Sequence, residues 1–353
     1  VILFSWITKT TKRAAIAKQV PIFQCFPTIY RRQAALIGSK ENNIMVKFIF
    51  PILLLLLSTA SYAQKKQVAA LSADAQQELK IWEDTLAVLG YAVVNDSLPD
   101  YRFAACHKLI PTLVKALKIE NSFQYPFERL KSISIQYPQD SSFRIFTWQL
   151  YVDKDEYRYY GAIQMNSPEL KLFPLSDRAA TVSNIEQEVL TPERWFGSVY
   201  YNLKECKNAQ GKYYLLFGFN GYRFFHKRKV VDVLHFKDGK PLFGAPVFLK
   251  EEKGYPTQSK KRLLLEYSAA ASVRLNYDAA LELLVFDHLI AMEGQYGEGM
   301  TMVPDGSYEA YKYEKGLWKY IPKLHTEIMD EAPRPQPILD QREKNIFGKS
   351  GGK

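Results

Sequence analysis

RIFTWQLYVDKDEYRYYGAIQM, Arg144 to Met165, carries a period of two. Phe146, Trp148, Leu150 and Val152 fall on one face of an extended chain. The tip Asp153-Lys154-Asp155-Glu156 is polar, and Tyr157 to Met165 returns, so the stretch reads as a β-hairpin. The same period extends outward. Ser132 to Tyr137 alternates Ile133 and Ile135 with Ser and Gln, and Glu169 to Leu175 adds a further strand. Tyr213 to Phe219 is apolar on both faces and belongs at a sheet centre. Further strands are predicted at Lys229 to Lys237, Pro246 to Leu249, Arg262 to Tyr267, Ser272 to Tyr277 and Leu281 to Ile290. Tyr308 to Tyr313 and Leu317 to Ile321 flank Glu314-Lys315-Gly316, where Gly316 supplies the positive φ of a tight turn. Arg158 to Ile163 and Arg194 to Val199 echo each other in kind, as a repeated hairpin or as chance similarity between aromatic strands.

Ahead of the strands the period is 3.6. Ala75, Leu79, Trp82, Leu86 and Leu89 share one face of a helix predicted over Ser72 to Leu89, with Ser72 as N-cap and Asp74 in its first turn. A second helix is predicted from Pro99 to Lys118, with Phe103, Cys106, Ile110, Leu113, Val114 and Leu117 as its stripe. The expected class is α+β, mainly antiparallel β: an N-terminal helical hairpin, then a large antiparallel sheet, sandwich- or propeller-like. The predicted domains are a helical hairpin over 64–125 and an antiparallel β domain over 126–325. A Pro-rich and then disordered tail follows over 326–353.

Met45 to Ala63, MVKFIFPILLLLLSTASYA, reads as a secretory signal peptide. Lys47 is its basic n-region, Phe48 to Leu57 its apolar run, and Ser61 and Ala63 hold the −3 and −1 positions. Ten apolar residues span about 15 Å of helix, half of a ~30 Å hydrocarbon core, so no permanent membrane span is expected. Gln64 is not the Cys of a lipoprotein. Residues 1–44 are predicted to be an upstream translation artefact. The expected location is periplasmic or secreted. Residues 1–63 hold eight of the 47 bases and one of the 37 acids, which leaves 39 and 36, a net charge of +3 in place of +10. Nucleic-acid binding thereby loses its electrostatic support.

Cys106 and Cys206 remain in the predicted mature chain. They would be free to pair in an oxidising compartment, but Cys106 on an apolar helix face suits a free thiol acting as a small hydrophobe. The His residues show no paired spacing, and no metal or cofactor is expected. Asp153-Lys154-Asp155 lacks the later ligands and Gly of a calcium loop. Gly294-Gln295-Tyr296-Gly297-Glu298-Gly299 departs from the dinucleotide fingerprint. With Glu293 and Asp305 it nevertheless concentrates acid in a mobile loop between strands, so Glu293, Gly294, Tyr296, Gly297 and Glu298 are the candidate binding residues. Phe224-Phe225-His226-Lys227-Arg228-Lys229 mixes aromatics with bases and reads as a solvated hairpin tip or as a contact for an anionic glycan or membrane surface.

The signal ending Ser61-Tyr62-Ala63 before Gln64, followed by Tyr-rich strands, resembles secreted or periplasmic proteins of Bacteroidota. Arg144 to Met165, Trp195 to Phe219 and Val303 to Ile321 resemble a family of uncharacterised proteins from those bacteria. That resemblance implies no activity and no catalytic residues. Two readings result. One is an exported envelope protein, a non-catalytic structural or binding module with an envelope protein or glycan as partner. The other is a secreted hydrolase acting on glycans through paired carboxylates such as Glu293 and Glu298.

Overall fold

A computed structural model describes residues 70–251, 254–294, 297 and 299–324. The predicted upstream segment, signal peptide and Pro-rich tail lie outside the described residues, as do Tyr296 and Glu298. The described residues fall in one compact unit.

Helix α1 spans Ala73–Asn95 and α2 Pro99–Leu117. Ser72 caps α1, its hydroxyl accepting from the Ala75 N–H at 3.2 Å, which satisfies one of the first turn's orphan donors. The helix runs beyond the predicted Leu89 because Gly90 and Val93 are still buried. It stops at Asp96, whose backbone is extended and whose Oδ1 accepts from the Leu98 N–H at 3.0 Å.

The strands are antiparallel with one exception and form three open sheets among the described residues. Sheet I runs in the order β1 (Ser134–Gln136), β2 (Phe143–Asp153), β3 (Glu156–Met165) and β4 (Leu172–Ser176). Sheet II holds β5 (Val199–Asn208), β6 (Gly211–Asn220) and β7 (His226–Lys237). One edge of β7 is shared between β8 (Lys240–Phe243) and β11 (Leu263–Ser268). Sheet III contains β9 (Phe248–Lys250), β10 (Gln258–Lys260), β12 (Leu275–Asp278), β13 (Leu283–Glu293), β14 (Met300–Glu314) and β15 (Leu317–Ile321). Its order is β10-β9-β15-β14-β13-β12, and β15 pairs β9 in parallel.

Period-two alternation explains the stacking. On β2, Phe146, Trp148 and Leu150 face the helices, where Leu79, Leu86, Leu109 and Leu113 meet them. Phe143 and Ile145 point the other way, to Tyr214, Leu216, Val230 and Leu234 of sheet II. Tyr213, Leu215, Phe217, Val231 and Val233 leave the far face of sheet II and meet Leu284, Phe286, Tyr311 and Trp318 of sheet III. The described residues thus form four layers with three apolar seams. Each fully buried large apolar side chain contributes about 1.5–3 kcal/mol. Sheet II is covered on both faces, which is why Tyr213 to Phe219 carries no polar alternation.

The expected class holds: helical hairpin first, then mainly antiparallel β. The large sheet is three sheets. Two details also differ from the sequence reading. Arg194 to Val199 is not a second copy of β3, since Arg194 ends a short 3-10 turn and Trp195 to Ser198 form a connection before β5. Strand β14 is longer than predicted, since it starts at Met300 and pairs with β13 out to Glu293, while the last hairpin, β14–β15, pairs across Glu314 and Leu317 as predicted. Cys106 and Cys206 are both free and buried, Cys106 in the helix–sheet I seam and Cys206 in the sheet II–III seam.

Candidate functional site

Of the predicted binding residues, Glu293, Gly294 and Gly297 lie at the end of the β13–β14 hairpin. Glu293 is the last residue of β13 and is exposed, and the Gly294 N–H donates to the Gly299 carbonyl at 2.8 Å. Gly297 has φ +80° and open space around it. Asp305 is engaged elsewhere: Ser307 donates to it through hydroxyl and backbone, and His288 Nδ1 lies 2.9 Å away, which together hold its carboxyl down to about 2. The hairpin end thus presents Glu293, Gly294 and Gly297 to solvent without enclosing them.

A cleft of about 960 Å³ opens instead where the β2–β3 turn, the connection after β4 and the β6–β7 connection meet. Four arginines line it: Arg158 on β3, Arg178 after β4, Arg223 before β7 and Arg228 on β7. Two of them have carboxylate partners. Arg158 reaches Glu156 at 3.3 Å, and Arg228 reaches Glu266 on β11 at 2.8 Å. Arg178 and Arg223 are exposed and have no ion pair among the described residues.

The cleft wall is built by backbone requirements readable only in three dimensions. Tyr222 has φ 48°, a left-handed conformation that costs a non-glycine residue roughly 1–2 kcal/mol. Asn220 holds it there: its Oδ1 accepts from the Tyr222 N–H at 2.9 Å while its amide nitrogen donates to the Gly197 carbonyl. The Tyr222 ring then carries the Arg228 guanidinium 3.3 Å from its centroid and that of Arg223 at 4.9 Å. Gly221 is needed because a Cβ there would lie 3.0 Å from the Tyr157 ring. Lys227 Nζ donates to the carbonyls of Gly221 at 3.1 Å and Arg223 at 2.6 Å, and burial pushes its pKa down. Across the end of the cleft, the Phe224 N–H donates to Asp155 Oδ1 at 3.2 Å and ties the two connections together.

Asp177 is the most enclosed carboxylate of the cleft. Its oxygens accept the N–H groups of Tyr159 at 3.3 Å and Ala179 at 3.1 Å, with Gly197 N–H as a further donor. A Cβ at Gly197 would fall 2.6 Å from the Asp177 carboxyl carbon, so only glycine permits this approach. Burial raises the Asp177 pKa, and those N–H groups, with a smaller pull from the charge of Arg178, draw it back.

Behind the wall sits a polar cluster that no spacing in the sequence announces. Asp232 and Arg262 are both fully buried, with Arg262 Nε 2.9 Å from Asp232 Oδ1. That contact is an ion pair without a well-aligned hydrogen bond. Arg262 also donates to the Ile185 carbonyl, and Trp195 Nε1 donates to the Tyr200 hydroxyl at 2.8 Å, which in turn reaches Asp232 Oδ2 at 3.4 Å. Asp232 looked like an ordinary strand residue, yet it anchors the connection carrying Ile185.

Two smaller clefts differ in chemistry. One of about 510 Å³ is lined by Lys204, Lys207, Tyr277 and Trp318, and one of about 230 Å³ has an apolar floor of Leu275, Phe286 and Tyr311. Among the described residues, no group of three or more metal-ligating side chains gathers, and no helix is long and apolar enough to cross a membrane. No family model, no curated protein and no solved structure matches the chain.

Of the sequence-level signals, the Phe224 to Lys229 run points nearest to the cleft, since Arg228 lines it and Phe224 closes one end. Arg158, Arg178 and Arg223 carried no signal, because each lies in a different segment and only the fold brings them together.

Proposed function

We propose that this protein is an exported, non-catalytic binding module whose ligand occupies the cleft between the β2–β3 turn and the β6–β7 connection. The observation that carries this reading is the 960 Å³ cleft, at the upper end of the ~300–1,000 Å³ that ligand sites occupy, with two guanidinium groups on its walls that have no ion pair among the described residues. A glycan is the partner class that fits an open, polar cleft on an envelope protein. Export rests on the Met45 to Ala63 pattern, and the Bacteroidota resemblance agrees with it.

The hydrolase reading has less support. Glycoside hydrolysis needs two carboxyls roughly 5–10 Å apart across a cleft. Glu293 stands exposed at a hairpin end, and the Asp177 oxygens are taken up by backbone N–H groups.

Hydrogen–deuterium exchange on the purified mature protein, incubated with a panel of oligosaccharides, tests the site. Protection is expected over 155–160, 177–182 and 220–228. Protection confined to 290–303, or release of shortened sugars, would overturn the proposal. N-terminal sequencing of secreted material should begin at Gln64, and a mature form that retains Lys47 would remove the export step.

A further inference from the structure

Resting on that reading of the cleft, we infer that its ligand is an acidic oligosaccharide, one whose sugar rings bear carboxylate or sulfate groups. The charge sum alone does not say so, because Asp155, Glu156 and Asp177 stand against the four arginines. The hydrogen-bond inventory does. Asp177 is occupied by main-chain donors, Asp155 Oδ1 by the Phe224 N–H, and Glu156 by Arg158. Arg228 is engaged by Glu266. What is left unspent among the described residues is mostly donor: the guanidinium forks of Arg178 and Arg223, five N–H groups each, outnumber the second oxygens of Asp155 and Glu156. A ligand that satisfies them must bring paired acceptor oxygens, and a planar fork matches an oxyanion bidentately.

One of these forks is preorganised. Arg223 and Arg228 share the Tyr222 ring, and the left-handed backbone at Tyr222 is held by Asn220. A racked guanidinium loses less rotamer freedom on binding, so more of its interaction appears as affinity.

Other polyanions fit less well. A bilayer is flat, whereas Arg158, Arg178 and Arg223 line a recess. Single-stranded nucleic acid needs open aromatic faces for its bases. Here Arg228 covers a face of Tyr222, and the Tyr157 ring is packed against Gly221. An acidic peptide added as a strand needs a free sheet edge, and the outer edge of β4 is taken: the Trp195 N–H donates to the Ser176 carbonyl at 3.0 Å.

The test is calorimetry on the full mature protein with four probes: an oligogalacturonate, a heparin-derived oligosaccharide, a neutral maltooligosaccharide and phosphatidylglycerol vesicles. One or both acidic sugars should bind, and more weakly at 200 mM than at 50 mM salt. Arg178→Gln and Arg223→Gln should each weaken that binding about 10-fold, the double variant more, with melting temperatures within ~2 °C of the parent. Unchanged acidic-sugar binding in the double variant would overturn the inference by placing the site elsewhere. Equal binding of the neutral sugar, insensitive to salt and to both substitutions, would overturn the acidic ligand while leaving the cleft reading intact. Preference for the vesicles would overturn it in favour of a lipid surface. Failure of every sugar to bind removes the cleft reading together with this one.

Discussion

Two arginines are fully buried among the described residues, and they are kept in opposite ways. Arg144 lies in the seam between the helical hairpin and sheet I, with no carboxylate beside it. Neutral dipoles hold it: Gln164 Oε1 at 2.7 Å, the carbonyls of Tyr125 at 2.6 Å and Ser122 at 3.0 Å, and the Tyr137 hydroxyl at 3.0 Å. The rings of Phe127 and Phe146 lie 5.0 and 4.9 Å from its guanidinium carbon. Arg262, on the side of sheet II that faces sheet I, has a full counter-charge in Asp232 but poor alignment, and its Nη2 has no hydrogen-bond partner. The first cation is solvated by aligned dipoles and a π cage; the second is neutralised but under-bonded. Geometry replaces water in one case and charge does so in the other, and the two should fail differently.

Removing the counter-charge should have the largest effect. Asp232→Ala leaves Arg262 buried and unpaired, at a cost of about 3–5 kcal/mol, which lowers the melting temperature by roughly 10 °C. Asp232→Leu combined with Arg262→Met should recover most of that loss, since apolar replacement of a buried pair is often neutral. A double variant no better than Asp232→Ala would mean the cluster holds the 185–190 connection by more than charge.

Arg144→Met comes next, at about 2–3 kcal/mol, because the carbonyls of Tyr125 and Ser122 lose their donor. If it costs more than Asp232→Ala in the same thermal melt, dipoles are the stronger substitute for water and the ranking above is wrong.

Thiol labelling separates the seams. Burial raises the pKa of both thiols, that of Cys206 to about 12, so neither should react with a disulfide reagent at pH 8 in the intact fold. Arg144→Met should speed the labelling of Cys106 and leave Cys206 slow. Equal acceleration of both would show that the seams open together.

The smallest effect is a pH slope. Asp177 mirrors Arg144: an anion held by neutral N–H groups with its pKa raised by burial. The folded chain keeps this proton at a pH where the unfolded chain, with a value of ~3.9, has lost it. Its contribution is therefore most favourable below ~3.9 and declines as pH rises through the raised folded value. The stability difference between the parent and Asp177→Asn should fall with pH across that window; a difference that rises would reverse the assignment.

Local patterns made much of the fold legible. The period of two marked β2 and β3 to within a residue or so, the Ser72 cap placed the start of α1, and the doubly apolar run put β6 inside a sheet. Legibility ended where a side chain's role depends on a distant segment. Asp232 meets Arg262 only through the pairing of β7 with β11, and Trp195 reads as strand although it sits in a connection. The cleft was less legible still. Its arginines are ordinary surface residues one at a time, and the acid-rich stretch near Glu293 drew attention by composition although it lies at the end of an arm.

The sharing of the β7 edge bears on the order in which the chain assembles. After β8 the chain departs to lay β9 and β10 in sheet III, then comes back with β11 to finish sheet II. The neighbour of β9 is β15, with Trp318 beside Phe248. The helices and sheet I close over short separations and can form as they emerge. Sheet II and sheet III are interleaved along the chain, and sheet III waits for the last described strand, β15. Loop closure over such separations is slow. During synthesis the apolar outer face of sheet II, with Phe217 and Val231, is therefore the last large surface to be covered. It is also the surface that a folding helper would have the longest time to hold.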